Sequence, residues 1–191
     1  SGTTYSIYGY NRARFEGDTF VNRVIDRFEE QGTMYKSGFV PVVTATTLEI
    51  GAGEFFNGIF EMFTTQSVTS TAFTTITNNM FNARTSPTQM TMYADGSTIN
   101  ASKYQNVVWG IVPTSTTSGG AVGTVPRLYA LPQSKPATEY TTPSNAREDI
   151  EGMTNYYPSN QELKKVFVPI ARTIVQKGGG FSVFPDGKYY Q

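Results

Sequence analysis

Three apolar runs limit what this chain can fold into more than any other feature: Tyr104–Val112 (YQNVVWGIV), Arg127–Leu131 (RLYAL) and Val166–Lys177 (VFVPIARTIVQK). Each is short, rich in β-branched or aromatic residues, and bounded by turn formers, so each reads as a strand. Between the second and third lies one capped helical turn. Thr142-Pro143 suits an N-cap followed by proline at the first helical position. Ala146 and Ile150 follow at helical spacing, and Gly152 can end the element. The result is a β-rich module with a single helical turn laid across it.

The upstream half has the same texture. Thr3–Tyr10 alternates polar and aromatic residues and reads as a first strand. Phe20, Val21, Val24, Ile25 and Phe28 make one apolar stripe at helical spacing, with Asp18 or Thr19 as a cap and Gly32 as a stop. Their strand-favouring side chains leave helix and strand both open over residues 19–31. Val40, Val42 and Val43 lead through Thr44–Leu48 to Ile50, where Gly51 and Gly53 break the run. In Glu54–Phe63 the pair Asn57-Gly58 signals a hairpin, because both central turn positions need positive φ. Thr64–Thr77 reads as a strand with one wet face, turning Val68, Ala72 and Ile76 inward. Gln89–Tyr93 and Ser97–Ile99, joined through Asp95-Gly96, make a second hairpin. Thr114–Gly123 (TSTTSGGAVG) offers little to bury and reads as a loop.

No repeat of 20–50 residues is present. Many short strands separated by turn signals imply a mainly β fold, an antiparallel β-sandwich-like domain with one or two short helices, rather than a βαβ fold. Residues 1–36 are expected to supply an N-terminal strand and short helix, possible as a connecting segment, and residues 37–191 the β-rich domain. At 191 residues the chain can bury roughly 70% of its unfolded surface without a disulfide or metal staple.

Composition narrows the chemistry. There is no cysteine and no histidine, which removes thiol catalysis, Ser–His and Cys–His dyads and the favoured ligands of structural zinc. No loop carries a calcium signature, so neither a metal nor a cofactor is expected. Fifteen basic residues balance 15 acidic ones and no basic run occurs, which argues against nucleic acid as a partner. No apolar run approaches 18 residues, so membrane insertion is not expected. The chain starts at Ser1 and shows no leader pattern, and reads as a fragment or a processed product. Charged residues are only 16%, so Thr, Ser, Asn and Gln must supply the polar surface. Such surfaces suit hydrogen bonding to sugars or other chains, and also suit ordinary strands.

The remaining motifs are weak. Gly178-Gly179-Gly180 lacks the Lys-Ser/Thr and the helix of a phosphate loop, and reads as a hairpin connection between Thr173–Lys177 and Phe181–Phe184. The carboxylates Asp26, Glu29, Glu30 and Glu148, Asp149, Glu151 read as solvated faces of short helices. Trp109, the sole tryptophan, reads as a core anchor, with a sugar-stacking platform as the alternative. Neighbouring aromatics on a strand point to opposite faces, so Tyr156-Tyr157 and Tyr189-Tyr190 each direct one ring outward and form the candidate interaction surface. Asn100-Ala101-Ser102 matches a glycosylation sequon, meaningful only in a eukaryotic secretory setting.

Taken in order, the strand VVWGIV, the Gly/Ser/Thr loop, LYALPQ, YTTPSNA and VFVPIARTIVQK resemble the tail fibres and tail-associated structural proteins of tailed bacteriophages. The resemblance covers residues 104–177 and rests on composition and order. It implies a non-enzymatic virion component at the tail, extracellular, a homotrimer in contact with other tail proteins. Its distal surface would bind a bacterial surface glycan or outer-membrane protein. Fibre shafts show short repeats and this chain has none, so it would be a globular tip. Two alternatives stand beside this: a capsid or head-decoration assembly protein, and a tailspike-like glycan hydrolase with Glu54 or Glu61 as its acids.

Overall fold

The computed structural model describes residues 33–44, 46–57, 61–112, 126–150, 158, 160–178 and 181–182. The strand expected at residues 3–10, the helix or strand at 19–31 and the loop at 114–123 lie outside them. The fold is mainly β, as expected. Its centre is a six-stranded sheet in the order β12-β11-β9-β10-β7-β8. These strands are β7 (Phe73–Thr77), β8 (Met80–Arg84), β9 (Tyr104–Val112), β10 (Arg127–Pro132), β11 (Val168–Gln176) and β12 (Phe181–Ser182). Two small three-stranded sheets accompany it: β1 (Thr33–Gly38), β4 (Gly53–Asn57) and β5 (Glu61–Thr65) in the order β1-β4-β5; and β2 (Pro41–Val43), β3 (Leu48–Ile50) and β6 (Val68–Thr69) in the order β2-β3-β6.

The three apolar runs of the sequence are the heart of the central sheet. β9 pairs antiparallel with β10 on one side and β11 on the other, Trp109 lying opposite Ala130 and Ala171. Side chains of β9 alternate between two buried faces. On the first, Val107, Trp109 and Ile111 meet Leu128, Ala130, Phe73 and Val175, together with Leu48, Ile50, Phe55 and Val68 of the small sheets. This is the sandwich-like layer. On the second face, two short helices cover the sheet: α1 (Pro143–Ile150) and α2 (Gln161–Val166). Val108, Tyr129 and Leu131 pack there with Leu163 and Phe167, while Ala146 of α1 packs with Tyr140 and Ile174. A strand covered on both faces has no wet side, which is why its sequence is a continuous apolar run rather than an alternation.

Local chemistry sets the connections. Thr142 caps α1, its hydroxyl accepting from the Asn145 amide at 3.3 Å, with Pro143 at the first position. Asn160 caps α2 by accepting from the amides of Glu162 and Leu163. Pro169 sits in β11 where the register shifts against β9, the place where a sheet tolerates a missing donor. Gly110 is required by close approach: a Cβ there would lie 2.2 Å from the Phe167 ring and 2.7 Å from the Val168 carbonyl oxygen.

Several expectations need correction. The run 64–77 is not one strand; it breaks into the end of β5, β6 and β7, and Ala72 is exposed while Val68 and Ile76 are buried. The break follows from the turn at Ser70–Thr71, whose serine is fully buried and bridges to β3, accepting from the Leu48 amide at 3.0 Å. The sheet is also not wholly antiparallel: Tyr129 and Ala130 of β10 pair parallel with Thr74 and Thr75 of β7. The third run begins as α2, so its strand starts at Val168 rather than Val166. β4 and β5 form the antiparallel hairpin expected around Asn57-Gly58, but Asn57 is its last paired strand residue, opposite Glu61, rather than a central turn position, and residues 58–60 lie outside the described ones. The Asp95-Gly96 hairpin is present as a single bridge, Met92 to Thr98. β11 and β12 form the hairpin expected around the glycines, with Gly178 at φ +74°.

Candidate interaction surface

Thr77 and Met80 close the tightest hairpin in the described structure. Asn78 and Asn79 between them have φ of 49° and 58°, the left-handed pair of a type I′ turn. Asparagine tolerates this region because its short amide bonds locally. The turn is seated: the Asn78 amide donates to the Ala94 carbonyl at 2.7 Å, and the Ala94 amide to the Gln133 carbonyl at 2.9 Å. The strand that follows, β8, is therefore held firmly while standing at the edge of the central sheet.

β8 carries the most exposed large apolar side chain of the described residues, Met80, with exposed Phe81 beside it. Met80 is 61% exposed and Phe81 52%. Phe81 stands edge-on to Tyr129, ring centroids 6.3 Å apart, on the face that α2 covers further along the sheet. A second exposed apolar pair lies on and beside β2, with Val42 at 54% and Val40 at 48%. Single exposed apolar residues are ordinary; what sets Met80 and Phe81 apart is that they stand on the strand at the end of the described central sheet, which makes this edge the candidate surface. The sequence signal for this edge is Asn78-Asn79 ahead of Met80-Phe81, as much a turn signature as Asn57-Gly58.

Three of the described carboxylates, Glu139, Asp149 and Glu54, hold parts of the fold together. Glu139 accepts from the Tyr93 hydroxyl and the Asn100 amide, both at 3.1 Å, and from the Asn100 side chain at 2.5 Å. Desolvation alone would raise its pKa, but these hydrogen bonds outweigh it and hold the carboxyl below its usual range. Tyr140 donates to Asp149 of α1 and accepts from the Gln133 side chain at 3.4 Å; burial and Asp149 push its hydroxyl up to about 12. Asn106 ties the same helix to β9 through its amide, 2.9 Å from the Ala146 carbonyl. Glu54 accepts from Ser37 at 2.8 Å and pairs with Lys36 at 3.0 Å, and its pKa is lowered by both. A general acid needs the opposite shift. Among the described residues no three of Asp, Glu, His or Cys come together to hold a metal ion.

Trp109 is fully buried, edge-on to Phe73 at 5.1 Å, with its indole N–H donating to the Thr173 hydroxyl at 2.7 Å. It is a core anchor and offers no platform to a sugar. Tyr156, Tyr157, Tyr189 and Tyr190 lie outside the described residues, as do Asp26, Glu29, Glu30 and Glu151. Glu148 is exposed on α1. Among the described residues no helix is long and apolar enough to cross a membrane. No family model, no curated protein and no solved structure matches the chain.

Proposed function

We propose that this chain is a non-enzymatic structural domain of a virion, of the tail-fibre or tail-associated kind, acting in host attachment. The observation that carries the reading is the firmly held apolar edge at Met80 and Phe81 on a sheet buried on both faces. A surface of that kind is suited to contact with protein, and rigid scaffolding is what an attachment tip must provide. The low charge and the many Thr, Asn and Tyr residues suit hydrogen bonding to a glycan or outer-membrane protein on a bacterial surface. In this reading the domain works as a homotrimer among other tail proteins, outside the cell.

The test is competition: purified protein should adsorb to host cells and reduce infection by the phage that carries it, with no turnover of the surface polysaccharide. Release of reducing sugar would instead establish the glycan hydrolase. The same apolar edge also favours a capsid or head-decoration subunit, which needs contacts between subunits and none with a receptor. Retention on particles without adsorption to cells would select that reading.

A further inference from the structure

The type I′ turn fixes which backbone groups of β8 face outward. A two-residue loop makes its flanking residues a hydrogen-bonded pair, here Thr77 with Met80. Pairs then alternate, so Thr75–Asn82 and Phe73–Arg84 are hydrogen-bonded and Ile76–Phe81 and Thr74–Ala83 are not. The Thr75 hydroxyl reaching the Asn82 carbonyl at 3.3 Å agrees, since that carbonyl points toward β7. The N–H and C=O of Phe81 and Ala83 therefore point away from the sheet, toward the open side of β8.

Among the described residues no strand pairs with the outer side of β8, and most of the usual protections of an edge strand are missing from its sequence. β8 has no proline, no lysine and no bulge, and its one charge is the terminal Arg84. Its side chains are also self-complementary. Placed antiparallel to itself about a two-fold axis through Asn82, Phe81 falls opposite Ala83 and Met80 opposite Arg84. A large ring meets a methyl group on one face. On the other, a thioether meets the aliphatic stem of an arginine, and the two guanidinium groups stay at opposite ends. In this register the outward groups of Phe81 and Ala83 meet their counterparts, giving four new ladder hydrogen bonds, with Asn82 facing Asn82 as a non-hydrogen-bonded pair.

We propose that β8 pairs with β8 of a second copy of this chain across a two-fold axis at Asn82, joining two central sheets into one of twelve strands. An isologous contact uses the same patch on both subunits and can link only two of them. It gives assemblies with an even number of chains, either a dimer or two trimers joined tip to tip. The contact draws on the same Met80 and Phe81 edge that carries the attachment reading; adsorption to cells tests that reading, and the parity of the assembly tests this one.

Two measurements decide it. By light scattering coupled to size exclusion the unmodified protein should show twice or six times the chain mass of 21.0 kDa; a monomer or a lone trimer overturns the proposal. The chain has no native cysteine, so Asn82→Cys is a clean reporter. Cα atoms across a non-hydrogen-bonded pair lie about 4.5 Å apart, within disulfide reach. Mild oxidation should convert N82C quantitatively to a covalent dimer, while T98C, exposed on the Asp95 hairpin, should stay uncoupled. Ala83→Pro then removes an outward N–H without touching the β7 ladder, and should halve the mass with an unchanged circular dichroism spectrum. A multimer in which N82C couples no faster than T98C means another surface makes the contact, and overturns it as well.

Discussion

Gly110→Ala is the substitution whose outcome the packing decides most sharply. In isolation the change should help: a strand glycine gives up more conformational freedom than alanine, worth about 0.5–1 kcal/mol. Here the added Cβ would sit 2.2 Å and 2.5 Å from two carbons of the Phe167 ring and 2.7 Å from the Val168 carbonyl oxygen. Ordinary contact begins at 3.4 Å, so the ring must move by more than 1 Å and the β11 backbone by more than half that. The ring is 1% exposed among Val108, Tyr129, Leu131 and Leu163, and has nowhere to go. The carbonyl belongs to the β9–β11 ladder, where Val168 pairs with Ile111, and cannot rotate away. Overpacking of this kind costs about 1–3 kcal/mol, and the backbone contact puts it at the upper end, so it outweighs the entropic gain. The net expectation is a loss of about 2 kcal/mol. Urea unfolding followed by the fluorescence of Trp109, the sole tryptophan and the residue just before Gly110 in β9, reads it directly. Combining Gly110→Ala with Phe167→Leu should cost less than the sum of the two single changes, because the smaller side chain vacates the clash. A G110A protein as stable as the parent, or strictly additive costs, would refute this account.

Three further outcomes are expected. Glu139, whose carboxyl is lowered in the fold, contributes stability present above its unfolded pKa of about 4.3 and lost as pH falls through the folded value; in Glu139→Gln the acid limb of the urea midpoint should flatten. Tyr140 is the reverse case: its raised pKa of about 12 gives stability fully present below the unfolded value of about 10 and lost as pH rises toward the folded one. Ultraviolet titration should show delayed phenolate ionisation whose amplitude falls by one tyrosine in Tyr140→Phe, Tyr93 being raised as well by burial and Glu139. In the type I′ turn, Asn79→Gly should be neutral or stabilising by a few tenths of a kcal/mol, while Asn79→Val should cost about 1–2 kcal/mol in thermal unfolding, because a β-branched residue resists φ of 58°.

How much could be read in advance depended on the range of the interaction. The strands β9, β10 and β11, the Thr142-Pro143 helix start, the β4–β5 pairing and the hairpin at Asp95-Gly96 were all legible, because each rests on neighbouring residues: branched and aromatic side chains, a cap, turn formers such as Gly96 at φ +84°. Even the burial of Trp109 followed from the apolar run around it. The candidate surface was not legible in the same way. Whether Met80 and Phe81 are covered depends on which strand lies beyond β8, and nothing within five residues of them records that. The parallel pairing of β10 with β7 joins residues more than fifty apart, as does the Trp109–Thr173 bond. Glu139 is separated from Tyr93 by 46 positions and from Asn100 by 39. Local patterning therefore determined which segments are strands and which face inward. The order of the strands in the sheet, and with it the open edge at β8, was decided by long-range burial on both sides of β9, which only the assembled tertiary structure contains.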